Sequence, residues 1–125
     1  MKIFFVLLLA FSSIIGCQLS SPHRVDFVPN YAPSHIQVEN LNSPTNLVCA
    51  VRVSAIDFNG DTIKYEFDWE NNGLYIEHTQ EWAIPGYPVE VMHAYKRPGK
   101  YKMRITAVDA VGARSNAFIY EIKIP

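Results

Sequence analysis

An all-β fold, an antiparallel sandwich of about seven short strands, follows from three features of this 125-residue chain. Four segments alternate apolar and polar side chains with a period of two. Turn-forming pairs recur between them. Beyond the leader no segment keeps an apolar period of 3.6, so no long helix is expected and the layers must be sheets.

The first element is a leader. A positive Lys2 precedes an apolar run from Ile3 to Phe11, the order of an export signal. The run is too short for a membrane span, which takes ~20 apolar residues. Its end, Ile14-Ile15-Gly16-Cys17, resembles the bacterial lipobox, in which branched or small residues and a Gly precede the modified Cys. The resemblance implies removal of residues 1–16, a diacylglyceryl thioether on Cys17 and an acyl group, of the palmitate kind, on its new amine. At ~0.8 kcal/mol per buried CH₂, one chain holds marginally and two or three anchor firmly. The bland alternative is an ordinary secretory leader with a chance Cys at its end.

Residues 17–34 read as a tether. Ser20-Ser21-Pro22, Pro29-Asn30 and Ala32-Pro33-Ser34 make it polar and Pro-punctuated, and at about 3.1 Å per residue it would span roughly 50 Å. Val25, Phe27 and Val28 interrupt this pattern and are candidates for packing on the domain as an extra edge strand.

The domain then occupies 35–125. Leu47, Cys49, Val51, Val53 and Ala55 define the inner face of one strand. Ile63, Tyr65, Phe67 and Trp69 define a second, Tyr101, Met103, Ile105 and Ala107 a third, and Phe118, Tyr120, Ile122 and Ile124 a fourth. Shorter candidates run from His35 to Glu39, Leu74 to Glu77 and Val89 to His93. Between them stand Asn59-Gly60-Asp61, Asn71-Asn72-Gly73, Pro85-Gly86, Pro98-Gly99 and Val111-Gly112, all turn signals.

Composition narrows the function. Formal charge is −1, becoming −2 once Lys2 leaves with the leader, and Lys and Arg read as scattered along the chain, so no nucleic-acid partner is expected. With Cys17 acylated, Cys49 has no intramolecular partner, and its place in an alternating apolar run makes it a small core residue. His23, His35, His78 and His93 lack zinc-type spacing. There is no nucleophile elbow and no phosphate-cradling Gly loop.

The domain resembles the PKD family of immunoglobulin-like β-sandwiches. The residues that carry this are Asp57-Phe58-Asn59-Gly60-Asp61, then Ile63, Tyr65 and Phe67-Asp68-Trp69-Glu70-Asn71-Asn72-Gly73. His93-Ala94-Tyr95, Pro98-Gly99-Lys100-Tyr101 and Val108-Asp109-Ala110-Val111-Gly112 complete the series. The chain departs from the family at the corner, where Glu70 and Asn72 replace the more usual Gly or Asp, and in a longer segment from Leu74 to Met92. Independently of family, Tyr101 at the start of a strand after Pro98-Gly99 suits a tyrosine corner.

Three sets of residues are candidates for chemistry. Asp68, Glu70 and Asn72 alternate ahead of Gly73, with Glu77 beyond, a spacing like that of calcium loops, since Ca²⁺ takes six to eight oxygens. The resemblance implies, for some members, a calcium site that joins Asp68 to Asp109 and to the N-terminal edge, where Asn42 or Ser43 are the candidates. The alternative is that Asp68 and Asp109 cap turns, as Asp57 and Asp61 are expected to. The second set is Tyr75, Trp82 and Tyr87 in the long aromatic segment, suited to stacking on a sugar ring or an apolar protein patch. The third is Glu77, Glu81 and Glu90, which would serve a small hydrolase.

The expected function is therefore a non-catalytic, lipid-anchored surface module that binds or spaces a protein or glycan, with no required cofactor beyond an optional Ca²⁺. Alternatives are a structural accessory subunit of an envelope complex and the small hydrolase. Gln18, not Asp, follows the acylated Cys, which points to the outer membrane or cell surface.

Overall fold

The computed structural model describes residues 24, 26–41 and 47–125. Cys17 and the leader, Val25, and the edge candidates Asn42 and Ser43 lie outside them. Period-two alternation gives seven strands: β1 (Ser34–Asn40), β2 (Val48–Ile56), β3 (Ile63–Asp68), β4 (Glu77–His78), β5 (Val89–Ala94), β6 (Gly99–Asp109) and β7 (Phe118–Ile124). They form two sheets, ordered β1-β2-β5 and β4-β3-β6-β7, with every pairing antiparallel. The result is the expected immunoglobulin-like sandwich, and the described residues contain no helix.

The core lies between the sheets because each strand turns alternate side chains inward. Cys49, Val51, Val53 and Ala55 of β2 meet Ile63, Tyr65 and Phe67 of β3, Met103, Ile105 and Ala107 of β6, and Ile122 and Ile124 of β7. Burial pushes the Cys49 thiol above its ordinary value, so it packs as an inert small hydrophobe. On the outer face of the first sheet, the register Glu39↔Arg52↔Glu90 places a cation between two carboxylates. Arg52 Nη2 lies 2.7 Å from Glu90 and Nη1 3.4 Å from Glu39.

Three expectations need correction. The Leu74–Glu77 strand shrinks to Glu77–His78, because Leu74 and Ile76 find no apolar partner and stay exposed. Phe27 and Val28 do not pack as an extra strand: both face solvent. Instead the polar end of the expected tether engages the sandwich, with Asn59 Nδ2 donating to the Pro29 carbonyl and the Tyr31 N–H to Asn59 Oδ1. Finally, the cations are not scattered in space: Lys100, Lys102, Arg104 and Lys123 share the outer face of β6 and β7.

Chain crossings between sheets place the functional corners. Asp57 to Thr62 carries the chain from β2 to β3, with Gly60 at φ 79° where a side chain would be strained. Lys96 to Pro98 carries it from β5 to β6, and there the Tyr101 hydroxyl donates to the Arg97 carbonyl at 2.7 Å, the expected tyrosine corner.

Candidate functional site

Asp68 ends β3, and its carboxylate is spent on the corner that follows. Oδ1 accepts from the Asn72 N–H at 3.2 Å and Oδ2 from the Gly73 N–H at 2.7 Å. Glu70 Oε2 accepts from Asn72 Nδ2, and Asn72 Oδ1 accepts from the Leu74 N–H. The alternating oxygens thus close on backbone and on each other, as a capped turn does.

Register separates Asp68 from Asp109. Asp68 pairs with Arg104 whereas Asp109 pairs with Ile63, five residues further along β3 and about 17 Å away at ~3.3 Å per residue. One cation cannot touch both. Asp109 instead meets Asp57 and Asp61, with one ligand oxygen from each lying within 4.8 Å of the others. The β2–β3 crossing at Asp57–Asp61 and the β6–β7 turn meet here.

The cluster has an uneven hydrogen-bond supply. Asp109 Oδ1 accepts from the N–H groups of Val111, Gly112 and Ala113, and Oδ2 from Asn30 Nδ2 at 2.8 Å. Burial pushes its pKa up, but the Asn30 amide and the three backbone donors outweigh that and hold the carboxyl below its ordinary 3.8. Asp57 Oδ1 accepts from Asn59 and Asp61, while its Oδ2 is buried with no partner. An orphaned carboxylate oxygen beside two other carboxylates is an unfavourable arrangement for an apo fold and a suitable one for a hard cation. Sequence reasoning favoured turn formation over metal binding for Asp57 and Asp61 and placed Asn30 in the tether. Only the turn role of Asp57 was legible, because the cluster depends on inter-strand register.

A second constellation surrounds Trp69, which is 2% exposed. Its ring stacks on Phe67 at 4.7 Å and on His93 at 4.4 Å, and its Nε1 donates to Glu77 Oε2 at 2.7 Å. His93 Nδ1 lies 3.6 Å from the same Glu77 oxygen. Burial lowers the His93 pKa below 6.5 despite the nearby Glu77 charge, so the ring is an aromatic of the core edge. Glu77 therefore belongs to Trp69, and Glu90 to Arg52.

The three aromatics of the long segment separate. Tyr75 overlooks a depression floored by Trp69 and His93. Trp82 and Tyr87 instead line a groove of about 690 Å³ along β4 and β5, together with Ile84, Pro88, Val89 and Met92. The segment is fixed at its middle: Ile63 and Ala83 exchange backbone hydrogen bonds at 2.8 Å, and the Gly86 N–H donates to the Ala55 carbonyl at 2.7 Å. Trp82 is 46% exposed, with Lys64 Nζ 4.9 Å from its ring centroid, and Tyr87 is 67% exposed. Backbone pinning beneath exposed aromatic rings produces a preformed apolar groove with acids Glu81 and Glu90 among its lining residues.

Seven strands in two antiparallel sheets, a tyrosine corner at the β5–β6 crossing and an acidic cluster at the β2–β3 crossing define an immunoglobulin-like module. The particular family is the PKD domain, to which the chain belongs: the family pattern matches residues 30–119. Among solved structures, the PKD domain of an M14-like peptidase from a Thermoplasmatales archaeon is 23% identical, with a TM-score of 0.65 over 78% of this chain and 99% of that one. The PKD1 domain of Vibrio anguillarum Epp is 19% identical, with a TM-score of 0.53 over 78% of this chain and 100% of that domain. A structure titled for the promiscuous specificity of carbohydrate-binding modules of the β-sandwich superfamily is 24% identical at a TM-score of 0.56, covering 78% of this chain and 36% of that one. These likenesses are of fold. A comparison with curated proteins finds no match.

Proposed function

We propose that this chain is a non-catalytic, exported surface module, lipid-anchored through Cys17, that binds a protein or glycan partner in the Trp82–Tyr87 groove. The observation that carries this is the groove itself: exposed aromatic and aliphatic side chains held on a backbone hydrogen-bonded to the sandwich. Rings held in place lose little entropy on binding. Membership of the PKD family, a non-catalytic module type, supports the absence of chemistry. So does the commitment of Glu77 and Glu90 to Trp69 and Arg52 rather than to each other. The leader and lipobox supply the case for export and anchoring at the outer membrane or cell surface, and no described helix is long and apolar enough to cross a membrane.

The test compares the full chain with its Trp82→Ala/Tyr87→Ala variant. The variant should keep its melting temperature and lose capture of the partner, whether an envelope protein or an insoluble polysaccharide. Undiminished capture would remove the groove from the account. Cys17→Ala should release the protein from membranes with its domain folded, and retention would mean another feature anchors it.

A calcium ion is a separate proposal, resting on the orphaned Asp57 oxygen. The residues that would hold it are Asp57, Asp61 and Asp109, with the Asn30 side chain offering its amide oxygen after a flip. All are oxygen donors, as Ca²⁺ requires. Its role would be to tie the start of the domain to the β2–β3 crossing and the β6–β7 turn, and so to stiffen the junction with the tether.

A further inference from the structure

We propose that the outer face of β6 is a binding surface for a linear acidic polysaccharide, laid along the strand over Lys100, Lys102 and Arg104. Period-two geometry turns these three outward from one strand, about 7 Å apart. The register sets Lys123 of β7 directly opposite Lys100. Exposed Arg97 lies in the connection that leads into the row, its carbonyl held by the bond from Tyr101, while Lys96 beside it lines the Tyr75 depression. Four of the nine Lys and Arg residues from Ser34 onward thus share one surface of a chain whose net charge is −1.

Little within the fold neutralises this row. Among the described residues, Lys96, Arg97, Lys100, Arg104 and Lys123 have no acidic partner within 4 Å, and only Lys102 meets an exposed Glu121, at 3.6 Å. Asp68 lies opposite Arg104 in register but is 5% exposed and bonded to its own corner amides. The direct Lys100↔Lys123 pair is a like-charge cross-strand pair, which destabilises a sheet. Lysines on edge strands commonly guard against edge-to-edge pairing. That accounts for Lys123 on β7, but β6 lies inside its sheet between β3 and β7, where no edge needs guarding. An external anion explains what folding does not.

The shape of the charge selects the partner. The cations form a line, with Glu66 across on β3 and exposed Glu121 on β7, so a flat anionic membrane would meet those acids as well whereas a single chain along β6 need not. The outward residues of β6 and β7 include no aromatic ring, the platform on which single-stranded nucleic acid stacks. A chain bearing a carboxylate or sulfate on successive sugars needs neither a plane nor a stacking ring. This surface is separate from the Trp82–Tyr87 groove, which lies along β4 and β5 and is independent of it.

The test is titration of the full chain with sodium polygalacturonate, at low and at physiological salt, beside neutral dextran. The expected result is binding to polygalacturonate alone. It should weaken about tenfold or more in Lys100→Gln/Lys102→Gln/Arg104→Gln, with the salt dependence falling by about two released counterions. Arg24→Gln/Gln37→Glu/Arg52→Gln lowers the net charge by the same amount in the N-terminal segment and on the other sheet, and should bind like the parent, as should Trp82→Ala/Tyr87→Ala. Absence of binding at low salt would overturn the proposal. So would equal loss in both triple variants, which would mean net charge alone acts. Equal or tighter binding to phosphatidylglycerol vesicles or to oligothymidylate would also overturn it, assigning the face to a membrane or a nucleic acid. Matching melting temperatures and circular dichroism of the variants keep a folding defect from passing as a binding result.

Discussion

His93 lies flat on Trp69, and burial there makes it harder to protonate than in the unfolded chain, where its ordinary value is 6.5. As pH falls below 6.5 the unfolded chain takes up the proton first. Stability is therefore complete above that value and is lost as pH descends toward the lowered folded value. His93→Phe keeps the stack and removes the titration, so its melting temperature should change less between about pH 7 and pH 5 than the parent's. Asp109 acts in the same direction at lower pH. Its folded carboxyl is held below 3.8, so the stability it contributes is present above that value and lost as pH falls through the folded one. Asp109→Asn should be less stable at neutral pH and show a shallower acid limb in melts. Asp61 offers a third test, since its carboxylate makes no hydrogen bond in the turn while adding charge to the cluster. Without calcium, Asp61→Asn should melt at or above the parent. With calcium the parent should gain stability as the ion exceeds its Kd, and the variant should not. At this scale the sequence showed the residue types but not their company. Asp68 and Asp109 look alike in a motif, yet five positions of register part them, and nothing local to Asn30 announces that its amide meets a residue 79 positions on.

Single elements divide by how far the alternation of their side chains could be satisfied. β2, β3 and β6 keep the faces their sequences imply, because each finds an opposing sheet for every inward position. Leu74 and Ile76 alternate equally well but follow the Asp68 corner, which carries them out of reach of the core, and β4 forms only at Glu77–His78. The same rule hid and revealed the charge: Lys100, Lys102 and Arg104 look dispersed in a linear count but alternate on one strand, and the β6–β7 register adds Lys123. A count taken every second residue would have found the row. The β5–β6 crossing is an element whose lock was legible, since a Tyr opening a strand after Pro98-Gly99 has a carbonyl within reach upstream. Tyr101→Phe keeps the ring stacked on Tyr95 at 4.1 Å and deletes only the bond to Arg97. It should cost about 1 kcal/mol, or about 4–8 °C in melting temperature for a domain of this size.

At the scale of the whole molecule, the sandwich separates three surfaces that the sequence interleaves. The Asp57, Asp61 and Asp109 cluster sits where Asn30 meets the sandwich, the aromatic groove runs along β4 and β5, and the cationic row lies on β6 and β7. An anchored domain arranged this way would be stiffened at its root and would keep two flanks free for partners. The class of fold was legible because strand alternation and turn residues are local signals that tertiary packing here reinforces. Function was less so, because exposed Trp82 and Tyr87 carry no signature that separates a binding ring from one folded into its own loop. Backbone bonds from Ala83 and Gly86 to the sandwich fix the segment beneath the two exposed rings, which is what the proposed groove rests on. The most direct measurement is photocrosslinking from the anchored full chain, with a photoreactive aromatic residue placed in turn at Tyr87 and at Gln37 on the β1 edge. Adducts from position 87 that vanish with Trp82→Ala are the predicted result. Adducts from position 37 with none from 87 would contradict the groove and favour a sheet edge as the contact.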